Sequence, residues 1–195
     1  MTTYIPKINT IPFDVFASPS ASVLLPIALG TAVGYSTRPA QTKETYGAIR
    51  QPPLRPPPYV FGPAWTALYG LMGYAAHRVA MRASLPSVPS SLSVSAQDLQ
   101  TLYSVQLGLN LTWMPLFFGL RRPALAFANV VTLVGLNGYL TYLYFGIDNV
   151  AGWCMVPYLA WLGFATYLNA GVGYLNQWDI SDSTLARRKA LGKDK

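Results

Sequence analysis

The sequence predicts an all-α fold, an integral membrane bundle of five transmembrane helices, and three observations carry that prediction. Five long stretches lack Asp, Glu, Lys and Arg: those between Asp14 and Arg38, Arg55 and Arg78, Asp98 and Arg121, Arg122 and Asp148, and Asp148 and Asp179. At 1.5 Å rise per residue, roughly 20 mostly apolar residues cross a hydrocarbon core of about 30 Å, and each stretch can supply them. Charged residues are 11% of the chain and apolar residues 52%, against roughly 25% charged in soluble domains. The basic residues, third, fall unevenly between the two sides that five spans would define. Arg38, Lys43, Arg50, Arg55, Arg121, Arg122, Arg187, Arg188, Lys189, Lys193 and Lys195 share one side, whereas only Lys7, Arg78 and Arg82 share the other. The positive-inside bias then places the tail in the cytosol and the N-terminus across the membrane.

The elements follow in order, within a single domain. Residues 1–18 read as a polar, proline-punctuated, frayed leader with no cleavable signal, so the first span serves as the targeting segment. That span, about 20–36, carries Gly30 and Gly34 four apart, a pair suited to close packing within the chain or to a homodimer face. The first loop, about 38–58, ends in Pro52, Pro53, Pro56, Pro57 and Pro58; fixed φ and missing N–H donors make it stiff and extended, either a lid or a connector. The second span, about 59–79, sets Phe61, Trp65, Tyr69 and Met72 at helical spacing, with His77 and Arg78 at its exit. A Ser- and Pro-rich second loop, 85–96, reads as mobile. The third span, about 98–118, holds Gln106, Asn110 and Trp113, with a bend expected at Pro115. Arg121 and Arg122 turn into the fourth span, about 124–145, and a short turn leads to the fifth, about 150–175, with Tyr158, Trp161 and Asn169. Residues 19–178 form the membrane domain, and 179–195 a charged tail.

Composition also excludes chemistry. The five cores contain no ionisable Asp, Glu, Lys or Arg, which argues against an ion-coupled pump and against paired-carboxylate catalysis. One Cys, Cys154, and one His, His77, provide neither a disulfide framework nor a metal-ligand cluster; His77 reads as interfacial and Cys154 as packing. The net charge of +7 is distributed over connections rather than on one aromatic-interleaved face, so no nucleic-acid partner is expected. What remains is aromatic and amide chemistry. Trp65, Tyr69, Trp113, Tyr158, Trp161 and Asn110 either line an apolar cavity for a flat ligand or form interfacial belts and interhelical amide pairs.

The run from Pro56 to Tyr69, PPPYVFGPAWTALY, followed by Met72, Gly73 and Tyr74, resembles the second-helix signature of the translocator protein family, which includes the tryptophan-rich sensory proteins and peripheral-type benzodiazepine receptors. Leu109 to Gly119 (LNLTWMPLFFG) and Pro157 to Asn169 (PYLAWLGFATYLN) are similar to its third and fifth helices, and Tyr46 and Gly47 fit its first loop. The match runs in order over most of residues 22–176. The resemblance implies a five-helix bundle, often dimeric, that binds porphyrins, sterol-like lipids and synthetic ligands beneath the first loop. Tyr46, Pro56, Phe61, Trp65, Tyr69, Asn110, Trp113, Trp161, Ala165 and Leu168 match the lining positions of that pocket. It implies no obligatory cofactor, with porphyrin or haem as ligand, and a membrane receptor or carrier rather than an enzyme. Trp65 and Trp161 match the tryptophans of bacterial members linked to light- or oxygen-dependent porphyrin breakdown, which is the alternative activity; a structural interaction protein is the third. The mitochondrial outer membrane is the implied location, with a secretory membrane as the alternative. The chain departs from the pattern at Leu54 and Tyr59, where many members have Trp, at Leu125, where animal members have a pocket Trp, and at Ala170 and Tyr174, where animal members carry the Tyr and Arg of a cholesterol motif.

Overall fold

A computed structural model describes residues 11–37, 39–83, 94–181 and 183–185, and its regular elements are helical throughout those residues. A single turn, α1 (Phe13–Ala17), precedes α2 (Pro19–Ser36); α3 (Pro39–Ala48) and α4 (Pro58–Ala83) follow. Then come α5 (Ala96–Met114) with a π-helical turn at Pro115–Gly119, α6 (Pro123–Ile147) and α7 (Asn149–Leu175). Five long helices thus occupy the five charge-poor stretches. One of them, Pro123–Ile147, is by length and hydropathy alone apolar enough to cross a membrane. The other four dilute their apolar residues with Gly, Pro, Ser, Tyr, Trp, Asn and Gln.

Large apolar side chains also face outward. Tyr35, Tyr142, Trp153 and Tyr174 are 82%, 66%, 67% and 80% exposed, a distribution suited to acyl chains rather than to water. Inside, the core is built from Leu68, Met72, Ala75, Ala76, Leu107, Leu133, Leu140, Met155 and Leu162. α6 packs most extensively on α7, and α2 on α4.

Small residues decide the α2–α4 crossing. A Cβ at Gly73 would collide with the backbone of Ser22, and the Ser22 hydroxyl donates to the Gly73 carbonyl at 2.7 Å. A Cβ at Gly30 would overlap the Tyr69 ring, whereas Gly34 faces open space. Gly30 therefore serves packing within the chain.

Three local expectations change. The leader is not frayed throughout: residues 1–10 lie outside the described residues, but Phe13–Ala17 forms a helical turn. Phe16 is buried edge-on against Tyr103, 5.3 Å between ring centres, and Ile11 N donates to Ser104 Oγ at 3.1 Å. His77 Nδ1 lies 2.6 Å from the Phe16 carbonyl oxygen, which fixes that nitrogen as the protonated one. Second, the first loop is not extended over its whole length, because α3 occupies Pro39–Ala48. Pro39 suits the first helical position, where its missing N–H has no intrahelical partner to lose. Third, the bend at Pro115 takes the form of a π-helical turn, closed by Leu120 N donating to the Pro115 carbonyl at 2.8 Å. Residues 84–93 of the second loop, and most of the tail, lie outside the described residues. Ser95, at the loop's end, forms a capping box with Asp98 that starts α5.

Candidate functional site

A chain of aromatic rings runs from the first loop into the centre of the bundle. The Tyr46 ring on α3 meets Phe61 of α4 edge-on at 6.5 Å, and Phe61 meets Trp161 of α7 at 6.0 Å. Trp161 lies edge-on to Trp65 at 6.4 Å, and Trp65 packs on Tyr69 at 5.4 Å and on Tyr158 at 6.3 Å. Helical spacing produces this path: Phe61, Trp65 and Tyr69 succeed one another at four-residue intervals and so share one face of α4. Tyr158 and Trp161, three apart on α7, present the opposing face. Trp65 and Trp161 are half-buried, while Tyr69 and Tyr158 are buried. Burial pushes the Tyr46 phenol up from its ordinary pKa against the opposing pull of the Arg55 guanidinium.

The path ends on a polar relay through the core. Tyr69 Oη donates to Asn110 Oδ1 at 2.6 Å, and Asn110 Nδ2 donates to Tyr158 Oη at 2.8 Å. Tyr158 Oη in turn donates to Gln106 Oε1 at 3.2 Å, and Gln106 Nε2 reaches Met72 Sδ at 3.0 Å. Five side chains from α4, α5 and α7 are thereby linked in an apolar setting, where each unsatisfied group would cost about 1–3 kcal/mol. Asn110 is committed to the relay through one lone pair and one N–H, and each of its two polar atoms has capacity for one further hydrogen bond. Sequence reasoning singled out Tyr69, Asn110 and Tyr158 but gave Gln106 no part in the site. The missed signal was the four-residue spacing of Gln106 and Asn110, which puts two amides on one face of α5.

The remaining expected residues divide. Ala165 packs against the same apolar core as Trp65 and Trp161, and Pro56 and Leu168 are half-buried nearby in sequence. Trp113 packs against that core too and also against the second cluster around Phe117 and Ala126. Its Nε1 donates to Asn169 Oδ1 at 3.0 Å, its ring stacks on Phe117 at 5.0 Å, and Phe118 lies edge-on at 6.0 Å. Asn169 Nδ2 passes the connection on to the Pro123 carbonyl at 3.1 Å, so Trp113 ties α5, α6 and α7 together below the π-turn.

The loop segment after α3 is bound at three points to α7 and its C-cap residue Asn176. Arg50 N donates to Asn176 Oδ1 at 3.0 Å and Asn176 Nδ2 donates to the Arg50 carbonyl at 2.8 Å; the side-chain amide copies one rung of a β-ladder. Pro52 sits on Gly171, where a Cβ would come within 2.6 Å of it. Tyr167 Oη donates to the Pro53 carbonyl at 2.9 Å. This strap holds α3, and hence Tyr46, over Phe61.

At the opposite end of the bundle, Arg78 Nε and Arg82 Nε both reach Asp148 Oδ2, at 2.8 and 3.0 Å. Asp148 Oδ1 accepts from Val150 N at 2.8 Å and Ala151 N at 3.2 Å, capping α7. Burial alone would raise the Asp148 pKa. The Arg78 hydrogen bond, the two backbone N–H groups and the Arg78 charge outweigh burial and hold it below the ordinary 3.8.

Two hollows are described elsewhere in the molecule. One of about 10 Å³, room for a single water, lies among Phe16, Ala76, Tyr103 and Tyr144. The other, about 1010 Å³, lies at the end of the bundle near Arg121 and Trp178.

Fold and site together define a helical membrane protein with an aromatic path under a strapped loop. The TspO/MBR family model matches residues 22–175, and the chain belongs to that family. It is 40% identical over 168 residues to the translocator protein homolog of Schizosaccharomyces pombe, covering 84% of this chain and 98% of the relative. Identity to the Homo sapiens translocator protein is 31% over 151 residues, 77% of this chain and 86% of the relative. To the tryptophan-rich sensory protein of Cereibacter sphaeroides it is 39% over 133 residues, 68% and 77%.

Proposed function

We propose that the chain is a five-span membrane receptor or carrier for flat apolar ligands, porphyrins first and sterols second, taken up between the strapped first loop and the aromatic path. The observation that carries this reading is the continuous series Tyr46, Phe61, Trp161, Trp65 and Tyr69, which begins beneath the loop and ends on an amide with hydrogen-bonding capacity to spare. Aromatic faces supply stacking area, and a small number of polar atoms supply orientation. Five charge-poor helices with outward-facing Tyr and Trp support the span count, and the basic excess on the loop-and-tail side supports a cytosolic tail, as in an outer mitochondrial membrane protein. Ala170 and Tyr174 weaken the sterol half of the reading.

Titration of purified protein with protoporphyrin, in light and in dark, tests it through tryptophan quenching. The expected result is saturable quenching with an unchanged porphyrin spectrum. Trp161→Phe should weaken binding by about 1 kcal/mol, a roughly fivefold rise in Kd. Quenching that never saturates would leave only a structural role. The contact between the Trp65 and Trp161 rings favours one second reading, porphyrin degradation in light. A new absorbing product that disappears in Trp161→Phe while binding persists would establish it.

A further inference from the structure

The direction of every hydrogen bond in the core relay is set from its far end. Met72 Sδ carries no hydrogen, so Gln106 Nε2, 3.0 Å away, can only donate to it. That contact turns the Gln106 amide so that Oε1 faces the Tyr158 hydroxyl at 3.2 Å, and an oxygen without a hydrogen obliges Tyr158 to donate. With its one hydrogen committed there, Tyr158 Oη accepts from Asn110 Nδ2 at 2.8 Å. Asn110 Oδ1 is then left facing Tyr69 at 2.6 Å and takes the hydrogen of that phenol. Met72, Gln106 and Tyr158 are fully shielded from solvent, so bulk water does not compete to reverse an amide.

A relay of one polarity leaves a defined chemistry at its open end. Tyr69 and Tyr158 pack on Trp65, at 5.4 and 6.3 Å between ring centres, and are thus the relay members that border the aromatic path. An unconstrained phenol serves as donor or acceptor, because its hydrogen rotates to suit the partner. Here that freedom is removed: both hydrogens point into the relay, and Tyr69 Oη has only lone pairs to offer a ligand. Among the relay members, the spare N–H groups belong to Asn110 and Gln106, whose amides are each held by two partners.

We propose that Tyr69 Oη makes the inner end of the aromatic path a hydrogen-bond acceptor site, one that selects flat apolar ligands carrying an O–H donor over ethers, esters and carboxylates of the same shape. The donor is an alcohol or a carboxylic acid in its protonated form. A carboxylate oxygen brought against these lone pairs is repelled, and the apolar setting itself favours the neutral acid. Gln106 and Met72 are positioning residues, which act on Tyr69 through Tyr158 and Asn110. This selectivity rests on the receptor reading above and adds to it the chemical class of the group that reaches the relay.

Isothermal titration calorimetry of the full detergent-solubilised chain with naphthol and with its methyl ether tests the assignment, with blank titrations correcting for partition into detergent. Wild type should bind naphthol more tightly than the ether by roughly fivefold, the scale of one net hydrogen bond. Met72→Leu keeps the side-chain volume but removes the sulfur acceptor. The Gln106 amide is then free to turn, and with it each bond as far as Tyr69. The preference should fall to within about twofold, chiefly because the ether binds more tightly once Tyr69 Oη can donate to it. A general loosening of the core would instead weaken both ligands. Gln106→Leu should collapse the preference in the same way, and Met72→Leu carries the test if that variant fails to fold. Equal affinities in wild type, or a preference that survives Met72→Leu unchanged, would overturn the proposal. Protoporphyrin quenching measured alongside separates the two readings. Saturable quenching with no alcohol preference sinks the acceptor site and leaves the receptor; an alcohol preference without quenching leaves the acceptor site and removes porphyrin from its ligands.

Discussion

At the scale of single residues, two side chains do more than their type suggests. Asn110 joins helices α4 and α7 by accepting from Tyr69 and donating to Tyr158. Asn110→Ala should lower the thermal stability of the detergent-solubilised protein by about 1 kcal/mol, the scale of interhelical hydrogen bonds in membranes; an unchanged melting temperature would mean that the relay carries no net stability. Asp148 makes a different contribution. Because its pKa is depressed in the folded state, the stabilisation is fully present above the ordinary carboxylate value and is lost as pH falls through the lower folded value. Melting curves taken from neutral pH down to about pH 3 should show a decline that Asp148→Asn removes. Neither partnership could be read from sequence. Asn110 was recognisable as a polar residue on an apolar background, but its two tyrosines come from residues 41 and 48 positions away, and nothing local names them.

At the scale of elements, the five long helices were legible because the absence of charge marks them, although α4 runs on through Arg78 and Arg82 to Ala83 and α5 starts ahead of Asp98. α3 was hidden for a physical reason. Prolines from Pro52 to Pro58 dominate the reading of the first loop as extended, yet Pro39 opens a helix that runs thirteen residues ahead of them. The strap from residue 50 to 53 was equally invisible, since it depends on a side-chain amide acting as backbone. Asn176→Ala should leave the helices intact and release the strap. Hydrogen exchange should then rise at residues 49–54 while α6 stays protected; unchanged protection of the loop would show that Gly171 and Tyr167 suffice. Gly73→Ala tests the α2–α4 crossing in the same way, and a loss of roughly 1–3 kcal/mol is expected from forcing a methyl group into a closed contact.

For the whole molecule, the question is which end faces which compartment. Replacing Cys154 by Ala leaves a background free of thiols, in which single cysteines at Gln97 and Ser183 report opposite faces of the bundle. An impermeant maleimide should label them from opposite sides of a sealed vesicle, Ser183→Cys from the side that also holds the first loop. Labelling from the same side would contradict a five-span chain. The candidate site was partly legible at this scale: α4 and α7 carry the expected rings on one path, whereas the bonding of Trp113 to Asn169 and its stacking on Phe117 depend on contacts that no local pattern names.

The rung that Asn176 forms with Arg50 sits one residue beyond the end of α7, just ahead of the charged tail. Any force that rotates Asn176 must also loosen the cover over Tyr46. By thermodynamic reciprocity, whatever lifts the cover shifts Asn176 by the same coupling. The end of α7 would thus register the position of the cover without any movement of the long helices.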